Sequence, residues 1–186
     1  MAIHPNPNTL TMEAVEEYLT IAECCVAAKK GDGGMYGYPA ALLLFCVVNV
    51  IGDSLLAGNE PFRVLKQPHF DCELTDLQTK QLEKWYRNLL AHNGMIAPGT
   101  CLSPQAEGDP FDFSENGEPV LIRVKPFCRL VRTAWDRFDK KRIKTTKPEQ
   151  SPTIVNPVDF SNASLAMPHT ASGSNYIPRA NGPGTK

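Results

Sequence analysis

The sequence predicts a mainly α fold, a four-helix up-down bundle with an inserted β-hairpin and a disordered C-terminal tail. Three observations predict it. Apolar residues recur at helical spacing in four segments joined by connections that carry Gly and Pro. Between the third and fourth segments the period switches to two around Asn116-Gly117. Beyond about Lys144 periodicity gives way to a stretch rich in Pro, Ser, Thr, Asn and Gly. That stretch has too little apolar surface to offset the entropy of ordering it.

A length of 186 residues suits one domain plus extensions. The expected division is a polar arm over 1–10, a helical domain over 11–143 with a hairpin near 109–125, and a tail over 144–186. Thr11 is the expected N-cap of the first helix. Glu13, Glu16 and Glu17 suit its positive end, and Val15, Leu19, Ala22, Cys25 and Val26 form its apolar face. It is expected to run to about Lys30, where the Gly-rich segment 31–34 stops it.

The second helix is expected to open after Gly37-Tyr38, with Pro39 in its first turn, and to end near 57–59. Its apolar run over 39–51 is about a dozen residues, short of the roughly 20 that a bilayer needs. Asn49 and Asp53 interrupt it, so it reads as a helix buried within a protein. Asn49 and Asp53 themselves read as a satisfied core network or a bundle-end contact. No membrane association is expected. The opening residues 1–8 carry two prolines and lack a basic-then-apolar leader pattern, so a cytoplasmic location is expected.

The third helix is expected from Leu74 or Thr75 to Asn93-Gly94, with Leu74, Leu77, Leu82, Trp85 and Leu89 as its inner stripe. In the hairpin Phe111 and Phe113 alternate on one arm, and Val120, Ile122 and Val124 on the other. The last helix is expected from about Pro126 to Ile143, with Phe127, Leu130, Val131, Ala134, Trp135 and Phe138 facing inward.

The six cysteines form no CxxC pair, and several sit in apolar helical patterns, which favours reduced thiols over a disulfide framework. The four histidines show no ligand spacing with the cysteines, so neither a metal nor another cofactor is expected. The segment 31–34 follows a helix and lacks Gly-Lys-Ser/Thr, which excludes a phosphate loop.

The segment with the most chemistry is Arg87-Asn88-Leu89-Leu90-Ala91-His92. An arginine clamps phosphate through two parallel hydrogen bonds. A histidine titrates near neutral pH and moves protons. Asn88 would orient either the imidazole or the phosphate. In a regular α-helix Arg87 and His92 lie about 140° apart around the axis and ~7.5 Å along it. Fraying of the last turn would let both border one cleft. Such a set suits RNA cleavage by attack of the RNA's own 2′-hydroxyl, a reaction that needs no metal. The plainer account is a histidine complementing the helix dipole and a solvated arginine.

This segment resembles the HEPN superfamily, four-helix domains whose ribonuclease members carry Arg-Asn-x-x-x-His late in a helix. The resemblance covers the bundle, roughly residues 11–143, with the hairpin and the tail outside it, and implies a homodimer in which two motifs line one cleft. It implies metal-independent endoribonuclease activity in toxin, defence or RNA-processing roles, with Arg87, Asn88 and His92 catalytic. Some members use a further polar residue, for which up-down topology offers Glu23, with Asp32 and Tyr36 nearby. Asp53 falls at the far end from His92 by the same topology. An antitoxin or other regulatory partner belongs with that role.

Between Leu121 and Lys147 ten Lys or Arg stand against Asp136 and Asp139, a local charge of +8 in a chain of net −1. Arg129, Arg132, Arg137, Lys140 and Lys141 of this patch are the expected RNA phosphate contacts. A solvated helix face accounts for the patch equally well. Two further readings of the whole chain are a catalytically silent HEPN-like binding module and an unrelated helical scaffold.

Overall fold

Asn6 and Pro7 start the chain's first helix four residues before Thr11. The Asn6 side chain accepts the Asn8 N–H at 2.9 Å, and Pro7 supplies a preset first-turn conformation without wasting an N–H. Thr11, the expected cap, instead sits inside helix α1 (Pro7–Ala27), its hydroxyl donating to the Pro7 carbonyl at 3.1 Å. Val15, Leu19 and Ala22 are its buried stripe, as their spacing predicts. A computed structural model of the chain describes residues 6–56, 60–66 and 68–143, apart from the side chain of Leu89. The tail expected over 144–186 lies outside the described residues, as does most of the expected arm over 1–10.

Helix α2 (Gly37–Leu56) is the centre of the fold: α1, the 3-10 turn Pro61–Leu65 and the last helix all pack on it. It runs longer than the dozen-residue apolar run suggests. By length and composition it is able to cross a membrane, yet half of it is buried in the fold. Phe45 gathers the core aromatics, with ring centroids at 4.9 Å from Phe127, 5.5 Å from Phe62 and 6.2 Å from Tyr86. Gly52 lets the following turn close: a Cβ there would lie 2.1 Å from the Pro61 carbonyl oxygen.

The third helical stretch is interrupted. It comprises α3 (Asp76–Leu82), a π turn (Glu83–Asn88) and α4 (Leu89–Asn93). Thr75 opens it with a capping box: Gln78 N–H donates to Thr75 Oγ1 at 3.2 Å and Thr75 N–H to Gln78 Oε1 at 2.8 Å. Gly94 closes it in the left-handed conformation, φ 64°, its N–H donating to the Leu90 carbonyl at 3.1 Å.

The expected hairpin is present as β2 (Phe111–Phe113) antiparallel to β3 (Pro119–Arg123), with Gly117 at φ 76° in the turn. A strand the sequence does not signal, β1 (Cys101–Ser103), adds in parallel to β3, giving the order β1-β3-β2. Its three residues are too few to display alternation. Val124 opens α5 (Val124–Arg137) instead of extending the strand, so the last helix starts earlier than Pro126. That helix also stops before Ile143, where a 3-10 turn at Lys140–Arg142 follows, capped by the Asp139 side chain on Lys141 N–H at 3.1 Å.

The described residues are therefore mainly helical with a small three-stranded sheet, and they belong to one compact unit. All six cysteines are free thiols; burial pushes Cys72 and Cys128 up to about 11.

Candidate functional site

The π turn decides which way the motif faces. It adds one residue to the helical turn, so the apolar stripe downstream slips by one position. Thr79, Leu82, Tyr86 and Leu90 are buried, whereas Leu77 is 53% exposed and Trp85 is only half-buried. The expected stripe is corrected at two places: Leu77, upstream of the π turn, faces out, and Trp85 packs only at the edge of the core while Tyr86 takes the inward position; the expected inward placement of Leu89 falls outside the described side chains. Tyr86 enters the core against Phe45, its hydroxyl 3.5 Å from the Cys101 carbonyl, and burial pushes its phenol up to about 12.

Arg87 follows directly and is half-buried. It sits beside the inward Tyr86, close enough to α2 for its charge to be felt there. Its Nη1 donates to Asn88 Oδ1 at 2.9 Å. Its charge acts on Asp53 and Cys46 of α2 and on Glu83 one turn earlier. Burial raises the carboxyls of Asp53 and Glu83 above the ordinary range, and Arg87 opposes both shifts. Asn49 Nδ2 donates to Asp53 Oδ2 at 2.7 Å, so the two polar residues of the apolar helix partner each other. His92 is exposed in the last turn of α4, one residue from the helix end.

The topology expected from the sequence would set Asp53 far from the motif's histidine; Asp53 lies in the field of the motif's arginine. The supporting residues expected from that topology are engaged elsewhere. Glu23 Oε1 accepts from Arg132 Nε at 2.8 Å. Tyr36 is 44% exposed and lies under the Lys30 ammonium, 5.3 Å from its ring centroid. Asp32 caps its own loop, accepting the Gly34 N–H at 2.8 Å. Glu83 went unread in the sequence, although an acid four residues before an arginine on a helix is a recognisable pairing signal.

Much of the basic patch is structural. Arg132 clamps both Glu16 and Glu23 of α1 at 2.8 Å. Arg129 Nη2 donates to the Ala106 carbonyl at 2.5 Å. Lys140 donates to the Trp135 carbonyl and lies 4.7 Å from that residue's ring centroid. Just outside the five residues singled out, Arg123 forks onto Asp112, at 2.7 and 2.6 Å. Arg137 and Lys141 are exposed and, among the described residues, have no acceptor.

A cleft of about 380 Å³ between residues 71–78 and β2 is lined by Asp71, Glu73, Asp109 and Phe111, and no motif residue lines it. Among the described residues no group of three or more His, Cys, Asp or Glu is placed to hold a metal ion. Comparison with known protein families, curated proteins and solved structures found no match.

Proposed function

We propose that the chain is a HEPN-type, metal-independent endoribonuclease that works as a cytoplasmic homodimer in a toxin or defence role. One observation carries the reading: Arg87-Asn88-x-x-x-His92 closes a helix that presents His92 to solvent and holds the Arg87 guanidinium through Asn88. In this reading the helices form an up-down four-helix arrangement, and the motifs of two protomers face one RNA-binding cleft.

The chemistry divides between the two ends of the motif. Arg87 binds the scissile phosphate and stabilises the extra negative charge of the pentacoordinate state. His92 takes the proton of the 2′-hydroxyl or returns one to the departing 5′-oxygen, and its counterpart in the second protomer does the other. The 2′-oxygen–phosphorus bond forms as the phosphorus–5′-oxygen bond breaks, leaving a 2′,3′-cyclic phosphate and a 5′-hydroxyl. Arg137 and Lys141 add phosphate contacts that set affinity and not sequence choice. An antitoxin or regulatory partner would act by covering the motif or blocking dimerisation. End-group mapping of RNA treated with wild-type and Arg87→Ala protein tests this. Cyclic phosphate ends are expected from wild type alone, and 3′-hydroxyl ends would refute the mechanism.

A second reading, a catalytically silent binding module, is favoured by the surroundings of Arg87. Asp53 and Glu83 both lie in the field of its charge, which opposes the upward shift that burial gives their carboxyls. Dimerisation without cleavage of any RNA supports this second reading.

A further inference from the structure

On the other flank of α2 a smaller cleft, about 160 Å³, lies where the last turns of α2 and α5 meet the loop after the 3-10 turn. Ile51 and Leu55 of α2 and Phe138 after α5 give it apolar walls, and His69 and Arg137 line it from separate elements. Ile51 and Leu55 share one side of α2, while Asp53 lies about 160–200° away around the helix. This cleft is therefore not part of the Arg87 surroundings.

Three features give the cleft a ligand preference. First, no carboxylate is among its lining residues. Second, Arg137 differs from the other arginines of α5: Arg129 and Arg132 are occupied by a carbonyl and two carboxylates, while Arg137 has no acceptor among the described residues. Nor is it needed to answer the negative end of α5, because Lys140 reaches the Trp135 carbonyl and lies 3.4 Å from that of Asp136. Third, His69 likewise has no acceptor among the described residues and lines the same cleft, where an imidazole N–H is available as a second donor. A planar guanidinium fork and an imidazole over apolar walls match an oxyanion, whose attraction grows as the walls displace water. The volume is below the roughly 300 Å³ at which pockets for whole small-molecule ligands begin, so it admits one group and not a nucleotide.

We propose that His69 and Arg137 form a binding site for a single phosphate group, distinct from the Arg87-His92 motif. The phosphate is either free or the terminal group of a longer molecule, and the test separates the two.

The full chain, labelled with nitrogen-15, is titrated with inorganic phosphate at constant ionic strength in chloride. Saturable amide shifts are expected at Ile51, Leu55, His69 and Phe138. Arg137→Gln and His69→Gln should each weaken binding about tenfold, the usual worth of one charge-assisted contact. Both side chains are exposed, so neither variant removes core packing. In Arg87→Ala the shifts at Ile51, Leu55, His69 and Phe138 should saturate as in wild type, whatever that variant loses at the motif, which separates this site from the proposed nuclease. A 5′-phosphorylated oligoribonucleotide binding more tightly here than its 5′-hydroxyl form assigns the site to a chain-borne phosphate. Equal binding of the two, with free phosphate still saturating, assigns it to the free anion. Absence of saturable shifts in wild type, or unchanged affinity in both Gln variants, overturns the proposal.

Discussion

The Arg87 guanidinium donates through Nη1 to the side-chain oxygen of its neighbour Asn88, at 2.9 Å. Adjacent residues of a regular helix point about 100° apart and do not meet readily. Here Asn88 ends the π turn that contains Arg87, and the pair partly immobilises a long side chain before any ligand arrives. Asn88→Ala should therefore lower RNA cleavage about tenfold through kcat, since a preorganised donor contributes most in the transition state. Thermal unfolding should change little, because the bond is only half-buried. An unaltered kcat with a raised KM would place Asn88 in substrate binding instead.

Glu16 ties α1 to α5 by accepting from the Trp135 indole N–H at 2.6 Å and from Arg132 at 2.8 Å. The Trp135 hydrogen bond and then Arg132 hold its carboxyl below the ordinary range. A depressed carboxylate contributes stability above its unfolded-state pKa and loses it as pH falls through the folded one. Wild-type melting temperature should thus drop between about pH 5 and pH 3, and Glu16→Gln should flatten part of that drop. At neutral pH the variant should cost about 1 kcal/mol, modest because the carboxylate is half-exposed. Parallel pH profiles for the two proteins would argue against the clamp.

Gly52→Ala tests the closure of α2 on the following turn. In an unobstructed helix this change gains up to about 1 kcal/mol. Here the new methyl would meet Pro61 backbone, its nearest atom 2.1 Å away, so the turn must move. A loss of about 1–3 kcal/mol is expected in denaturant titration, the usual range for overpacking. A stabilised variant would mean that the turn is not held against α2.

Phe45→Ala removes the ring that joins Phe62, Tyr86 and Phe127. The expected loss is about 3–5 kcal/mol, enough to unfold a marginally stable domain at physiological temperature. Because Tyr86 precedes Arg87, any folded remnant should also lose cleavage.

What the sequence reveals is set by how many residues share each signal. The stripe Val15, Leu19 and Ala22, the helix start at Thr75 and the Asn116-Gly117 turn are local patterns, and all three appear where the spacing puts them. Helix ends moved where a better cap lay nearby, as Asn6-Pro7 displaced Thr11. The π turn left no local mark, because Trp85 and Tyr86 are both able to be the inward aromatic and only packing against Phe45 selects Tyr86. That single choice accompanies an Arg87 whose charge is felt at Asp53. It also explains why topology alone nominated Glu23, a residue that long-range charge pairing assigns to Arg132. Of the groups around Arg87, Glu83 carries a local pairing signal in the chain, whereas Asp53 carries none, since it and Arg87 are far apart in sequence.

The most direct test of the central claim incubates purified wild-type and His92→Ala protein with mixed RNA in excess chelator and follows both on a gel. Cleavage by wild type, abolished in His92→Ala with the melting temperature retained, is the predicted result. Equal cleavage by the two proteins would contradict the assignment of His92 and with it the proposed mechanism.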